Sequence, residues 1–246
     1  MILYTNGCSW TYGAHAGGDH PFHSWTDEER LSKLWPHFLG QKLNAKKVVN
    51  LSKGCGSNQR IFRTTYDWLN TLTEQECNEV VAVIQFTQIS RYEIYLQKNF
   101  NENYENITDR WLACKVDSIS GSTLDEADSK AHMLLNNQRL STYTDIEGIY
   151  TYITQVIALT KLFELFKVKK FFYWNNNEFV HSPANYCSFI MDNFPFIQKH
   201  GDRWNYERVG KVVNTDGSIG FDDHPSLIVG HGQLADIIYD KIHDLI

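Results

Sequence analysis

An α/β domain, with a parallel sheet and crossover helices, is what this sequence predicts, and three observations carry it. Short apolar runs rich in β-branched or aromatic residues recur along the chain, helix-periodic segments lie between several of them, and no internal repeat or low-complexity tract breaks the alternation. The 246 residues, 42% hydrophobic and 21% charged, supply ample core material and exclude wholesale disorder.

The strand-like runs are Ile2–Thr5, Lys47–Leu51, Val80–Phe86 and Val168–Trp174. Between the first two, Leu31, Leu34, Trp35, Phe38, Leu39 and Leu43 recur at three- and four-residue spacing and form one apolar stripe on a helix. Pro36 interrupts that stripe and leaves the helix start open. Asn58 to Leu72 reads as a second helix, with Ile61, Tyr66, Trp68, Leu69 and Leu72 as burial candidates. Gly148 to Phe166 has the clearest helical periodicity, through Ile149, Tyr152, Ile153, Val156, Ile157, Thr160 and Phe163, and feeds the strand at Val168. A last helix begins near Ser226 or Gly230, with Leu234, Ile237, Ile238, Ile242 and Leu245 on one face. Gln97 to Asp145 and Asn175 to Gly220 fit the alternation poorly and read as insertions at strand ends, at about 97–145 and 175–220 of a single domain spanning 1–246.

Charge and composition narrow the partners. A formal charge of −6 and a pI near 5.9 lack the basic footprint of a protein whose affinity comes from phosphates, so nucleic acid is not the expected ligand. No apolar run approaches the roughly 18 residues that span a bilayer, and Met1 leads straight into Ile2-Leu3-Tyr4, so no membrane association and a soluble, cytoplasmic protein are expected. The cysteines at 8, 55, 77, 114 and 187 form no CxxC pair, and their odd number fits reduced thiols better than a disulfide framework.

In an open α/β sheet, ligands bind where the strands end, which directs attention to Asn6-Gly7-Cys8-Ser9-Trp10-Thr11-Tyr12-Gly13 after the first strand. A serine just past a glycine at a strand-to-helix turn has its hydroxyl held at the sheet edge and its N–H at a helix N-terminus, where negative charge is stabilised. The plainer role for Ser9 is a helix N-cap. At the far end, Gly220-Phe221-Asp222-Asp223-His224-Pro225-Ser226 puts a carboxylate close before a histidine, which supplies a general base and its orienter from one segment. The alternative there is a surface turn that caps the last helix. Asn50-Leu51-Ser52-Lys53-Gly54-Cys55-Gly56-Ser57-Asn58, directly after the second strand, allows close backbone approach to a substrate oxygen, or is an ordinary tight turn. His15, Asp19, His20 and His23 match no metal-ligand spacing, so no metal is expected.

Together these segments resemble the blocks of the SGNH hydrolase superfamily, the GDSL-like esterases and lipases, and in particular a divergent branch common in phage and bacterial genomes. Gly7-Cys8-Ser9 stands for the Gly-Asp-Ser-like turn, and His224-Pro225 with Gly230-His231 for the last block. The resemblance implies a three-layer α/β/α sandwich with a flavodoxin-like parallel sheet of about five strands. It implies a serine ester hydrolase without a cofactor, acting on a small acyl ester such as an O-acetyl group of a carbohydrate or metabolite. Ser9 is then the nucleophile and His224 the base. Phe221 stands three before His224, where the family has its carboxylate, so Asp222 is the expected orienter and Asp223 the less favourable alternative. The oxyanion donors are sought in Gly54, Cys55 or Gly56, with Asn58, Arg91, Gln85 or Gln88 assisting, because Gln85-Phe86-Thr87-Gln88 holds no Asn where the family has Gly-x-Asn-Asp. That departure also supports a rival: a degenerate domain of this fold that binds a glycan, nucleotide or protein without turnover. Acyl transfer to an acceptor other than water is a third option.

Overall fold

Seven consecutive buried residues, Val80–Phe86, describe a strand covered on both faces, and this run lies in the middle of the sheet. The computed structural model describes residues 1–13, 27–54, 56–87, 91–95, 111–115, 145–175, 204–205, 212–213, 219–220 and 227–246. Their elements are β1 (Ile2–Asn6), α1 (Ser9–Tyr12), α2 (Asp27–Leu31), α3 (Trp35–Lys42), β2 (Lys47–Asn50), α4 (Asn58–Leu69), α5 (Glu74–Asn78), β3 (Val80–Phe86), β4 (Arg91–Tyr95), β5 (Trp111–Lys115), α6 (Asp145–Leu165), β6 (Lys170–Asn175), β7 (Trp204–Asn205), β8 (Val212–Val213), β9 (Ile219–Gly220) and α7 (Leu227–Ile242).

The main sheet has five parallel strands in the order β2-β1-β3-β6-β7, as the sequence led us to expect. Chain order reverses between β1 and β3, which makes their carboxyl ends the switch point where such sheets bind ligands. Period-two alternation sorts the strand residues onto two faces. Tyr4, Ala82, Ile84 and Tyr173 pack with Ile61 and Leu69 of α4 and with Ile153, Val156, Leu159 and Phe163 of α6. Leu3, Val81, Val83, Phe172 and Trp174 pack with Trp35 and Leu39 of α3 and with Leu234, Ala235, Ile238 and Ile242 of α7. Two helical layers thus enclose the sheet, each fully buried leucine or phenylalanine contributing about 1.5–3 kcal/mol.

Several boundaries differ from the expectation for identifiable reasons. The stripe from Leu31 to Leu43 is two helices, because Pro36 is at the start of α3, where its fixed φ and missing N–H cost nothing. Leu31 is then 37% exposed at the end of α2, not part of the stripe's core. Trp35 is the first residue of α3, and its backbone N–H donates to Nδ1 of the buried His231 on α7, 3.3 Å away. The last helix starts at Leu227, so Gly230 and His231 lie inside its first turns rather than before it. Tyr66 is 46% exposed, contrary to its expected burial, since the buried face of α4 runs through Ile61, Thr65 and Leu69. The second helix ends at Leu69, and a separate helix, α5, follows under a capping box in which Thr73 and Glu76 satisfy each other's backbone N–H groups. Part of the stretch read as an insertion is structured: β5 pairs antiparallel with β4. That hairpin is tied to α4 by Arg63, whose guanidinium meets the Glu93 carboxylate at 3.1 Å, and by Gln59, whose Oε1 accepts from the Glu93 N–H at 2.8 Å.

Candidate active site

Ser9 follows the buried end of β1 and is the first residue of α1. The N-cap is Cys8, whose side chain makes no capping bond, so the capping role does not fall to Ser9. The Ser9 hydroxyl lies 3.9 Å from Cys8 Sγ, and the residue is buried. Cys8 is fully buried, as expected of a small hydrophobe at that position. Gly13 ends α1 with φ of 79°, in the left-handed region, and a Cβ there would lie 2.1 Å from Leu34 Cδ2.

The turn is held from three sides. On one, Asn6 accepts the Gly7 N–H on Oδ1 at 2.9 Å, while its Nδ2 donates to Tyr4 Oη and Thr64 Oγ1, both at 2.9 Å. Burial pushes the Tyr4 phenol above its ordinary range, keeping it neutral within this network. On the second, Asn50 Nδ2 donates to the Thr11 carbonyl at 3.0 Å, which ties α1 to the end of β2. On the third, Gln85 of β3 places Oε1 against the N–H groups of Cys8 and Thr11 and the Thr11 hydroxyl, at 3.3, 3.2 and 2.6 Å. Gly7 makes this approach possible: a Cβ there would lie 2.6 Å from Thr11 Oγ1 and 2.8 Å from Gln85 Cβ.

The segment after β2 comes to the same place. Lys53 N–H donates to the Gly7 carbonyl at 3.3 Å, and a Cβ on Gly54 would be 3.6 Å from the Tyr12 ring. The Arg30 guanidinium lies over that ring at 4.2 Å and donates to the Tyr12 carbonyl at 2.8 Å. The two glycines differ in state. Gly56 N–H is engaged by the Lys53 carbonyl at 3.0 Å, whereas Gly54 N–H has no acceptor among the described residues. Asn58, 3% exposed, clamps Thr87 with both ends of its carboxamide: Oδ1 accepts the Thr87 N–H at 2.8 Å and Nδ2 donates to its carbonyl at 3.2 Å. It therefore joins the ends of β3 and α4. Trp10 meets Trp174 edge-on at 6.2 Å, and Trp35 meets the same ring at 6.0 Å, so α1 is anchored in the core through the residue that follows Ser9.

Ser9, Gly54, Gly56, Asn58 and Gln85 are thus gathered around the carboxyl ends of β1, β2 and β3. Cys55, Gln88, Asp222, Asp223 and His224 lie outside the described residues, as do His15, Asp19, His20 and His23. Among the described residues no group of His, Cys, Asp and Glu could hold a metal ion, and no helix is long and apolar enough to cross a membrane. Sequence reasoning considered Gln85 only as a donor and missed it as the acceptor for the Ser9 turn. The available signal was its place as the one polar residue in an otherwise apolar strand.

A five-stranded parallel sheet in this order, enclosed by helices, is the fold found in the SGNH hydrolases. A carbohydrate esterase described as having divergent catalytic and non-catalytic binding functions in its active site superposes with a TM-score of 0.50 at 11% identity, over 98% of this chain and 68% of that one. A family two carbohydrate esterase from Clostridium thermocellum, solved with cellohexaose, gives 0.50 at 13% identity, over 99% of this chain and 64% of that one. A G-D-S-L family protein from Desulfitobacterium hafniense gives 0.47 at 11% identity over 97% and 98% of the two chains. No curated protein matches by sequence. The chain belongs to DUF6071, a family of unknown function, whose model matches residues 22–235, a span that includes Asp222 and His224 and begins beyond Ser9.

Proposed function

We propose that this protein is a serine ester hydrolase that removes a small acyl group, such as O-acetyl, from a carbohydrate or small metabolite. The observation that carries the reading is the position of Ser9. It stands at the topological switch point as the first residue of a helix it does not cap, in a turn braced by Asn6, Asn50 and Gln85. A turn held this firmly at a ligand-binding edge suits chemistry. The carbohydrate esterases among the structural relatives support a carbohydrate acyl ester as substrate.

In this mechanism His224 takes the Ser9 proton as Oγ attacks the ester carbonyl, then returns it to the leaving alcohol, and Asp222 holds the imidazole in the required tautomer. The acyl-enzyme is hydrolysed by the same steps with water. The oxyanion sits against the N–H groups of Ser9 and Gly54, the latter favoured over Gly56, whose N–H is already engaged. Gln88, offered in place of the family's Asn, and Asn58 assist on this side. A panel of acyl esters of increasing chain length, with Ser9→Ala as control, tests the reading. Turnover of short esters that vanishes in Ser9→Ala supports it. Glycan binding that survives in Ser9→Ala, with no turnover of any ester by the unmodified protein, replaces it by the binding-domain reading.

A further inference from the structure

We propose that Gln85 is a positioning residue for the nucleophile, one that sets the orientation of Ser9 from a neighbouring strand; this rests on Ser9 being the nucleophile. The first turn of a helix leaves N–H groups without intrahelical acceptors, and an N-cap side chain ordinarily takes one of them. α1 has no such cap, because Cys8 holds that position and its side chain makes no capping bond. Gln85 Oε1 acts in its place, accepting from the N–H of Cys8 on one side of Ser9 and, on the other, from the hydroxyl of Thr11 and from its N–H, which is shared with the Cys8 carbonyl at 3.1 Å. Ser9 is therefore suspended between two residues that share one acceptor.

The orientation of this carboxamide is determined by chemistry. Two of its three partners are backbone N–H groups, which only donate, so the oxygen and not the NH2 must face the turn. The residue is fully buried, and its Nε2 finds no partner among the described residues. Burying an amide with one end unsatisfied opposes folding, which argues that the oxygen's contacts are retained for something other than stability. Gly7 completes the device, since any side chain there would overlap Gln85 and push the turn off its acceptor. Displacing a reacting group by about 1 Å costs on the order of a hundredfold in rate.

The test is turnover per titrated site. A fluorophosphonate probe counts reactive Ser9 in the unmodified protein and in Gln85→Met, which removes the acceptor at similar volume. We expect the titre to match the folded fraction. Turnover of a short acyl ester per titrated site should fall about 30- to 100-fold, with KM changing less than about threefold. Gln85→Glu, which keeps an acceptor oxygen, should recover at least about tenfold of the loss. A merely structural role predicts a reduced titre with unchanged turnover per site, and that result overturns the proposal. If Gln85→Met fails to fold, Thr11→Val serves instead: it deletes the shortest of the three bonds and should lower turnover per site about 3- to 10-fold, while no change overturns the proposal. Failure of the probe to label the unmodified protein would remove the esterase reading along with this one. Normal labelling with an indifferent Gln85→Met removes this one alone.

Discussion

Replacing Ser9 by alanine deletes a hydroxyl that caps nothing, so stability and activity should separate cleanly. We expect Ser9→Ala to melt within about a degree of the unmodified protein, because the approximately 1 kcal/mol lost with a true N-cap is not at stake. Esterase turnover should be abolished. Differential scanning fluorimetry and one acyl-ester assay read both, and a clearly lowered melting point would show that the hydroxyl is structural. Gly7 is the opposite case. Gly7→Ala puts a Cβ 2.6 Å from Thr11 Oγ1 and 2.8 Å from Gln85, so we expect a loss of about 1–3 kcal/mol in denaturant unfolding. On the base side, Asp222→Asn should lower turnover by up to about four orders of magnitude by favouring the wrong imidazole tautomer, and Asp223→Asn by much less. The reverse pattern would make Asp223 the orienter.

At the scale of elements, the caps carry the sharpest expectations. Ser57, fully buried, accepts the Arg60 N–H at the start of α4, and Ser57→Ala should cost about 1 kcal/mol while loosening the turn that contains Gly54 and Gly56. In the capping box of α5, the bonds from Thr73, its backbone N–H foremost, hold the Glu76 carboxyl below the usual carboxylate range. A carboxyl whose folded value is depressed contributes stability above its unfolded value, near pH 4, and loses it as pH falls through the folded value. The melting-point difference between the unmodified protein and Glu76→Gln should therefore be present at neutral pH and shrink in acid. What was legible in the sequence follows from the same physics. Val80–Phe86 was readable to the residue because a strand buried on both faces is apolar throughout, and the turn that carries Ser9 because a glycine directly follows the first strand-like run. The division of α2 from α3 was not, since the apolar stripe runs through the break. The β4–β5 hairpin was hidden because one strand sits inside a polar stretch that carries no period-two signal. Gln85 was noticed for its donor group, but the acceptor that organises the turn depends on a register between β1 and β3 that local sequence does not contain.

For the molecule as a whole, stability and site geometry meet where the helical layer of α3 and α7 touches the sheet. His231 accepts the Trp35 N–H, Trp35 packs edge-on against Trp174, and Trp174 lies beside Gln85 in the register of β6 with β3. His231→Phe leaves that N–H buried without an acceptor and should cost about 1–3 kcal/mol, measured by urea unfolding. Because Trp10 rests on the same Trp174 ring, part of that loss should appear as altered intrinsic tryptophan fluorescence before global unfolding. The sheet order also governs biosynthesis. β1 is flanked by β2, which follows it closely, and by β3, which supplies Gln85 only after the whole of α4 and α5 has been made. A nascent chain arrested before Val80 holds every atom of the Ser9 turn and can pair β1 with β2, yet lacks the Gln85 acceptor that braces the turn from the β3 side. The growing polypeptide thus leaves the Ser9 turn unbraced on that side until the central strand docks, well before the segment that holds Asp222 and His224 is made.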